Sequence, residues 1–439
     1  MNWPAYPEYS TAVNRLGEAP AGWNLTKLRY ALSVNPLVPH ELRRCVEIEV
    51  SFLPMELIGE DGSLDLSRTR PVGEVLNGYS YFADGDVLFA KVTPCFENGK
   101  AAVVLNLPSG HGFGTTEVTT LRPSPRLEQR FLGYLVRSDR FRQLGIASMT
   151  GAGGLKRVPN EYVRDFMIAL PPVAEQRTIA QFLDCETARI DRLIAKQEQL
   201  IATLREDRIA TITHAVTEGL DPAVDFKPVD SDLPMIPAHW SVKPLKHLGT
   251  LITGGTPPSG ELGYYTSDSE TGFPWLRPDD LDPSGRPSEA SRYLSETGKM
   301  MVPHLLPPSV HVVSIGATLA KVGYVAIECS SNQQITAMVN AECPKFVFFA
   351  LVASHDRIWA SSMGNTLPII SASRLGAVKV AVPPIEEQTG IVRFLDDRCA
   401  RIDALIAKAG QVIQILSEYR SALITDAVTG KIDVREAVA

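Results

Sequence analysis

Two lysines, a threonine and an asparagine lie within ten residues in the first part of the chain. Lys91, Thr93, Asn98 and Lys100 follow the apolar run at 86–90, which predicts a strand followed by a loop. Lysine cations pair with phosphate or guanine, and an asparagine amide can form two hydrogen bonds to adenine. These residue types are suited to DNA contact, although an ordinary solvated hairpin would carry the same set.

A glycine-rich segment at 150–154 is followed by Leu155, Lys156 and Arg157. Glycines let a backbone approach a phosphate closely, and the two bases would supply positive charge. The segment is not a nucleotide-binding P-loop, because no Gly-Lys-Ser/Thr follows it. We expect Lys156 and Arg157 to lie against DNA; a flexible surface loop is the alternative.

The second half of the chain holds a different polar set. Three consecutive amides are suited to base edges, and a loop at 365–368 corresponds in place to the glycine-rich segment. A turn or a capped helix would account for the same residues. The candidates are Lys321, Asn332, Gln333, Gln334, Asn365 and Thr366.

Motifs for catalysis on DNA are missing from the sequence. It contains no Asn-Pro-Pro-Tyr/Phe or Asp-Pro-Pro-Tyr and no Gly-x-x-x-x-Gly-Lys-Ser/Thr. None of its eight histidines pairs at i, i+4, and none of its six cysteines forms Cys-x-x-Cys. The sequence therefore predicts no catalytic residues and no metal site.

Length and composition indicate a multidomain globular protein. A chain of 439 residues is too long for one ordinary domain, and 44% hydrophobic with 21% charged residues is typical globular usage. No apolar run reaches about 18 residues, and the N-terminus lacks a signal-peptide pattern. We expect a cytoplasmic protein without a membrane span.

The net charge of −7 is unfavourable for a DNA-binding protein. The charge is uneven, however, because residues 126–164 contain eight bases and three acids. This distribution permits DNA binding and favours a chain that needs partners for affinity. The bases are Arg126, Arg130, Arg137, Arg140, Arg142, Lys156, Arg157 and Arg164.

The chain repeats itself at an offset of 212 residues, as Pro171 and Pro383 illustrate. The register holds across nearly 50 residues, so chance similarity is excluded. The matches are Pro-Pro-x-x-Glu-Gln at 171–176 and 383–388, Phe-Leu-Asp at 182–184 and 394–396, Arg-Ile-Asp at 189–191 and 401–403, Leu-Ile-Ala-Lys at 193–196 and 405–408, and Ala-Val-Thr at 215–217 and 427–429.

Each copy of the repeat predicts one helix of about 40 residues, with Glu175 or Glu387 in its first turn. A heptad seam predicts that the two helices pack on each other; the alternative is that each covers its own domain. The seam positions are Ile190, Leu193, Gln197, Leu200 and Leu204 in the first helix, and Ile402, Leu405, Ala409, Val412, Leu416, Tyr419 and Leu423 in the second.

A globular segment precedes each predicted helix. Both segments open alike, with Pro-Ala-x-Trp at 20–23 and 237–240, and then diverge. Short apolar runs separated by Gly, Pro, Asn and Asp predict mixed, mainly β folds.

This arrangement resembles the specificity subunit of type I restriction-modification systems over nearly the whole chain. The carrying motifs are the two Pro-Pro-x-x-Glu-Gln segments that lead into Phe-Leu-Asp helices, their Ala-Val-Thr endings, and the Gly85–Lys91 and Glu97–Lys100 stretches. The segment 314–323 is similar to another branch of the same module family and adds Thr318 to the candidates.

The resemblance implies an α+β fold with two target-recognition domains, at 1–170 and 226–382, and spacer helices at 171–225 and 383–439 that form an antiparallel coiled coil with pseudo-two-fold symmetry. It implies a non-catalytic subunit that binds double-stranded DNA with a bipartite asymmetric target. It also implies two methyltransferase and two restriction or motor subunits, which would use S-adenosylmethionine, ATP and magnesium. A self-contained DNA methyltransferase or endonuclease, and a helical interaction protein without a DNA role, are the rival interpretations.

Overall fold

The computed structural model describes residues 3–10, 18–152, 154–229, 233, 235–258, 262–364 and 366–437. The chain folds as two compact units. The first comprises Met1–Lys196 and Val412–Ala439, and the second comprises Gln197–Gln411. Both boundaries fall inside long helices, so each unit contains part of two helices.

The first unit contains two four-stranded sheets, ordered β6-β5-β10-β7 and β4-β11-β8-β9. All pairings in them are antiparallel except that of β10 with β5. Strands β1–β2, β12–β13 and β3–β14 form separate pairs. The strands are β1 (Tyr9–Ser10), β2 (Ala19–Pro20), β3 (Asn24–Lys27), β4 (Leu32–Val34), β5 (Glu49–Leu53), β6 (Thr69–Pro71), β7 (Ser80–Ala83), β8 (Val87–Ala90), β9 (Ala101–Val103), β10 (His111–Gly114), β11 (Val118–Pro123), β12 (Thr150–Ala152), β13 (Leu155–Arg157) and β14 (Met167–Leu170).

Helices cover the second of these sheets. The Glu128 carboxylate accepts a hydrogen bond from Phe131 N at 2.7 Å and caps α2, and the Ser138 hydroxyl caps α3 in the same way. The α helices that begin in this unit are α1 (Val72–Val75), α2 (Gln129–Arg137), α3 (Asp139–Ser148), α4 (Asn160–Asp165) and α5 (Val173–Thr217); 3-10 turns span Leu28–Tyr30, Leu42–Arg44 and Met55–Leu57.

The second unit has sheets ordered β18-β25-β22-β23 and β19-β21-β20-β24, with β15–β16 and β17–β26 as separate pairs. The strands are β15 (Phe226–Lys227), β16 (Ile236–Pro237), β17 (Ser241–Pro244), β18 (Thr250–Thr253), β19 (Tyr265–Thr266), β20 (Phe273–Leu276), β21 (Tyr293–Leu294), β22 (Ser309–Val313), β23 (Val322–Val325), β24 (Ser330–Ser331), β25 (Ile335–Val339) and β26 (Lys379–Val382). The helices are α6 (Glu296–Lys299), α7 (Pro344–Val352), α8 (His355–Ala360), α9 (Ala372–Ala377) and α10 (Ile385–Val428), with 3-10 turns at Leu245–His247, Leu262–Tyr264 and Pro278–Asp280.

One sheet has the same topology in both units. The order β4-β11-β8-β9 corresponds strand for strand to β18-β25-β22-β23, and all its pairings are antiparallel. Strands β8 and β22 are buried along their whole length, as central strands covered on both faces should be. The internal repeat therefore extends into segments whose sequences have diverged.

The two long helices pack on each other within each unit. In the second unit, Arg208 lies 3.5 Å from Asp403, while Ile212 and Val216 share a core with Ile391, nearer the start of α10. Residues further along α5 thus pack against residues nearer the start of α10, so the two helices are antiparallel there. In the first unit, Arg420 pairs with Asp191 at 2.9 Å. The predicted α+β fold with two packed long helices is confirmed.

The predicted heptad seam was wrong at four of its positions. The leucines at 193, 200 and 405 and Val412 are between 40% and 51% exposed. The next residue in each case is half-buried instead, and it is an isoleucine every time. Core positions that alternate spacings of three and four residues have a mean period of 3.5 whichever spacing comes first. Periodicity alone therefore could not choose between the two sets of positions. The isoleucines are Ile194, Ile201, Ile406 and Ile413.

An aromatic contact distinguishes the two Phe-Leu-Asp sites. In the first unit Trp3 packs edge-on against Phe182, with 4.8 Å between the ring centroids, and Phe182 is buried. In the second unit the equivalent Phe394 is 42% exposed and lines an open groove with Leu220, Arg398 and other residues.

Candidate nucleic-acid interface

The candidate site of the first unit is held together by backbone hydrogen bonds between the two segments predicted to contact DNA. Val158 N donates to Lys91 O at 2.8 Å, and Thr93 N donates to Lys156 O at 3.1 Å. The glycine-rich segment forms the β12–β13 hairpin, and Val92 bridges to Arg157. The structure therefore brings Lys91, Thr93 and the Lys156–Arg157 pair together at the end of β8.

Thr93 braces this hairpin. Its hydroxyl donates to Gly154 O at 3.0 Å and accepts from Lys156 N, also at 3.0 Å. The hydroxyl therefore already acts as a hydrogen-bond donor and as an acceptor inside the protein. Thr93 fixes the position of the hairpin backbone, a role that its residue type and spacing did not indicate.

Arg157 is paired with a carboxylate within the unit. Its guanidinium donates through Nε and Nη2 to both oxygens of Glu117, the shorter contact being 2.6 Å. These hydrogen bonds, with the positive charge of Arg157 and of Lys91, hold the pKa of Glu117 below its usual range. The Lys156 side chain is exposed and has no ion-pair partner among the described residues. Of the two bases, Arg157 is the one whose charge is balanced inside the unit.

Asn98 and Lys100 occupy the loop that follows. The Asn98 amide donates to the Glu60 carboxylate at 2.8 Å, and both groups are exposed. Lys100 is half-buried, and its backbone carbonyl accepts a hydrogen bond from Ala90 N. No motif or spacing indicated that Glu60, distant in the chain, would meet Asn98.

Most arginines of the basic stretch 126–164 have partners inside the unit. Arg130 lies 2.8 Å from Asp184, and Arg142 pairs with Asp139. Arg137 donates to the carbonyl of Asp61 and lies over the Tyr134 ring, and burial lowers the pKa of its guanidinium. The stretch therefore serves mainly the internal packing of the unit.

The candidate site of the second unit is built by matching backbone hydrogen bonds. Ile370 N donates to Ser314 O at 2.9 Å, and Gly316 N donates to Pro368 O at 3.0 Å. Met363 and Ile369 form a bridge, so residues 363–369 take the place of the first unit's hairpin. Ser314 N also donates to Gln334 O, which brings the amide cluster to the same edge.

The three consecutive amides have different environments. Asn332 is 8% exposed; its side chain donates to Gln334 Oε1 at 2.8 Å and accepts from Gln334 N at 3.2 Å. Asn332 is thus an internal brace. Gln333 is exposed and accepts a hydrogen bond from the Thr256 hydroxyl, while Gln334 is half-buried.

The remaining candidate residues of the second unit lie in different environments. Lys321 donates to the carbonyl of Pro278 at 2.8 Å, so its ammonium is tied to a neighbouring turn. Thr318 and Thr366 are exposed. Asn365 lies outside the described residues.

Sequence reasoning missed a contact that recurs at the start of each long helix. The Trp240 indole N–H donates to Glu387 at 2.8 Å, and the Trp23 indole donates to Glu175 at 3.1 Å. Each glutamate was expected only to favour the helix dipole. The signal was present, because the Pro-Ala-x-Trp and Pro-Pro-x-x-Glu-Gln motifs recur together.

Neither a metal centre nor a membrane-spanning helix is found in the part of the chain that the structure describes. Within the described ranges, no group of three or more His, Cys, Asp and Glu side chains is arranged to hold a metal ion. Among the same residues, no helix combines the length and apolarity that a membrane crossing requires.

Comparison with known proteins shows similarity to one family of restriction-system proteins. Residues 237–414 match the model described as the type I restriction modification DNA specificity domain. The type I restriction enzyme EcoEI specificity subunit of Escherichia coli is 37% identical over 207 residues, 44% of this chain. The putative type I restriction enzyme MjaX specificity subunit of Methanocaldococcus jannaschii is 24% identical over 98% of both chains. Residues 237–414 are therefore similar to a type I restriction modification DNA specificity domain, and the chain as a whole is similar to type I restriction enzyme specificity subunits.

These similarities cover different fractions of the proteins compared. The match covers 34% of the EcoEI specificity subunit, about a third of that relative's length. A chain from a solved structure on complex assembly and conformational transition of the type I R-M system superposes with a TM-score of 0.76. That superposition covers 94% of this chain and 99% of the other at 19% identity, so it shows a shared fold alone.

Proposed function

We propose that this chain recognises a bipartite, asymmetric sequence in double-stranded DNA, with one half-site for each unit. The carrying observation is that both units build the same edge with the same backbone hydrogen bonds but place different side chains on it. A common frame with unlike side chains is what two unlike half-sites require. The equivalent pairs are Lys91 and Ser314, Thr93 and Gly316, Lys156 and Pro368, and Arg157 and Ile369.

The chain would do no chemistry itself. In this proposal it holds two methyltransferase subunits and two restriction or motor subunits, which use S-adenosylmethionine, ATP and magnesium. The names of its relatives and the missing catalytic motifs support this division of labour. The exposed apolar residues beside the helix seam, such as Leu193 and Leu405, are suited to contact partners. The long helices would set the unread spacer between half-sites.

Module exchange tests this function. Residues 24–170 begin and end in the paired strands β3 and β14, where Asn24 lies opposite Leu170. Replacing them with the equivalent segment of a relative should change one half-site of the methylated motif and leave the other intact. The matched control replaces 241–382, whose ends Ser241 and Val382 are paired likewise, and should change the other half-site. Methylation-aware sequencing of DNA from cells expressing the complex gives both motifs.

Two outcomes would contradict the proposal. If either exchange altered both half-sites, the units would not act independently. If the purified chain alone transferred a labelled methyl group to DNA, it would be an enzyme rather than a recognition subunit.

A further inference from the structure

The second strands of the two hairpins in the candidate interface can be aligned residue by residue. Val158 and Ile370 donate equivalent hydrogen bonds, and Lys156 and Pro368 accept equivalent ones. Each pair is separated by 212 positions, the same offset as the helical repeat. Leu155 therefore occupies the same place as Leu367.

Leucine is the one side chain that these segments share. A glycine is also retained, because the pairing of Thr150 with Arg157 and of Met363 with Ile369 puts Gly151 and Gly364 at equivalent places. Residues 150–157 have the sequence TGAGGLKR, and residues 362–369 have SMGNTLPI. The charges and all other side chains have been replaced between the two copies. A side chain retained where every other side chain has changed points to a task common to both units.

Packing inside the fold does not explain these leucines. Leu155 is 46% exposed and Leu367 is 51% exposed, and neither joins a hydrophobic core cluster of the described residues. One exposed leucine on a protein surface is ordinary. Two at equivalent places, each on a hairpin fixed by hydrogen bonds to the end of a central strand, indicate a ligand.

The surroundings of the leucines favour DNA as that ligand. Leu155 stands between Gly154, whose carbonyl accepts the Thr93 hydroxyl, and the exposed cation Lys156. Leu367 follows the exposed Thr366, on the edge that also carries Gln334. DNA offers apolar surface beside phosphates and base edges, either as a thymine methyl in the major groove or as a base step opened by a wedge.

We propose that Leu155 and Leu367 are the apolar base contacts of the two units, each acting on its own half-site. This inference rests on the proposed function, since it assigns a residue pair to that same interface. Each leucine would add apolar contact to a site whose position is set by the polar groups around it.

The test uses the chain assembled with its methyltransferase partner and a duplex carrying the motif that the wild-type complex methylates. Leu155→Ala and Leu367→Ala should each weaken binding about tenfold by removing buried apolar surface. The salt dependence of binding should stay unchanged, because no phosphate contact is lost. Leu144→Ala and Leu306→Ala, which truncate leucines that are 49% and 55% exposed elsewhere on the two units, are the controls and should bind as wild type.

Modified duplexes distinguish the two kinds of base contact. Replacing thymine by deoxyuridine in one half-site should reproduce the loss for a methyl contact, and 2-aminopurine fluorescence should rise on binding for a wedge. Either result, confined to the half-site of the altered leucine, supports the proposal.

Other results would overturn it. Binding by L155A and L367A equal to the controls would remove the leucines from the interface. Weaker assembly with the methyltransferase, with DNA affinity unchanged once assembled, would make them protein contacts instead. A wild-type complex that methylates no bipartite motif would refute the proposed function itself, whatever the leucine variants do.

Discussion

The hairpin of the first unit and its equivalent in the second share a backbone and differ in chemistry. The first ends in Lys156 and Arg157, whereas the second has Pro368 and Ile369 at those places. Arg157 is neutralised by Glu117. Gln334 takes the place of Glu117 in the second unit. The Glu117 carbonyl accepts a hydrogen bond from Lys91 N, and the Gln334 carbonyl accepts the equivalent one from Ser314 N. The frame is thus independent of the side chains that it presents.

The largest expected difference between the units concerns the tryptophans that contact the first turns of the long helices. Trp240 is 1% exposed, whereas Trp23 is half-buried. We expect Trp240→Ala to lower the free energy of unfolding by about 3–5 kcal/mol, because it leaves a cavity. Trp23→Ala should cost roughly 1–3 kcal/mol, because less apolar surface is lost. Urea denaturation of both variants measures this.

A conservative variant separates packing from hydrogen bonding at this contact. Trp240→Phe keeps most of the apolar ring but removes the N–H that donates to Glu387, and should cost about 1–3 kcal/mol, because that hydrogen bond is lost and the smaller ring leaves space at a buried position. Equal losses for the two alanine variants would mean that burial does not distinguish the starts of the two long helices.

The second expected difference is sensitivity to acid. His311 is fully buried on β22, hydrogen-bonded to Ser309 and 3.9 Å from Cys329 Sγ, and burial lowers its pKa to about 3. Strand register places Leu88 at the equivalent position of the first unit. Because the folded-state pKa lies below the unfolded value of about 6.5, the unfolded chain takes up the proton first.

The free energy of unfolding of the second unit should therefore fall as the pH drops below about 6.5. The loss should reach about 2 kcal/mol at pH 5, at roughly 1.4 kcal/mol per pH unit. His311→Leu, which copies the first unit, should remove this dependence. Denaturation of wild type and variant at pH values from about 7 to about 5 tests this prediction. Parallel profiles of unfolding free energy against pH would exclude His311 as the cause.

The third difference concerns asparagines that look alike in the sequence. Asn332→Ala should cost about 1–3 kcal/mol, because Asn332 is buried and its two hydrogen bonds to the half-buried Gln334 are lost. Asn98→Ala should change stability by less than about 0.5 kcal/mol, because its contact with Glu60 is exposed. Thermal unfolding of the pair checks this, and a reversed order would contradict the assignment of Asn332 as a brace.

The smallest expected effect is on the salt dependence of DNA binding. Lys156→Ala should reduce the slope of log affinity against log salt by about 0.9, the value for one phosphate contact. Adding Arg157→Ala should change the slope by less than a second full contact, because Arg157 is paired with Glu117. Pro368→Ala is the matched control and should leave the slope unchanged. A slope unaffected by Lys156→Ala would remove that residue from the phosphate backbone.

The repeat, the mainly β modules and the two long helices could be predicted from motif spacing and periodicity. The helix seam could not be placed to the residue, because Leu193 and Ile194 satisfy the same mean period. Nor could side-chain roles at the candidate site be assigned, since hydroxyl and amide groups bind DNA or brace a loop with the same chemistry. Thr93 and Asn332 turned out to be braces only because tertiary folding brought Gly154 and Gln334 to them.

The contrast between Phe182 and Phe394 has a consequence for stoichiometry. Trp3 occupies the apolar face of Phe182, while the face of Phe394 is open to a groove. Two identical molecules that recognised these helices would therefore meet one site already filled and one still vacant. Their microscopic binding constants would be unequal, and a titration would pass through a populated one-to-one intermediate before saturation.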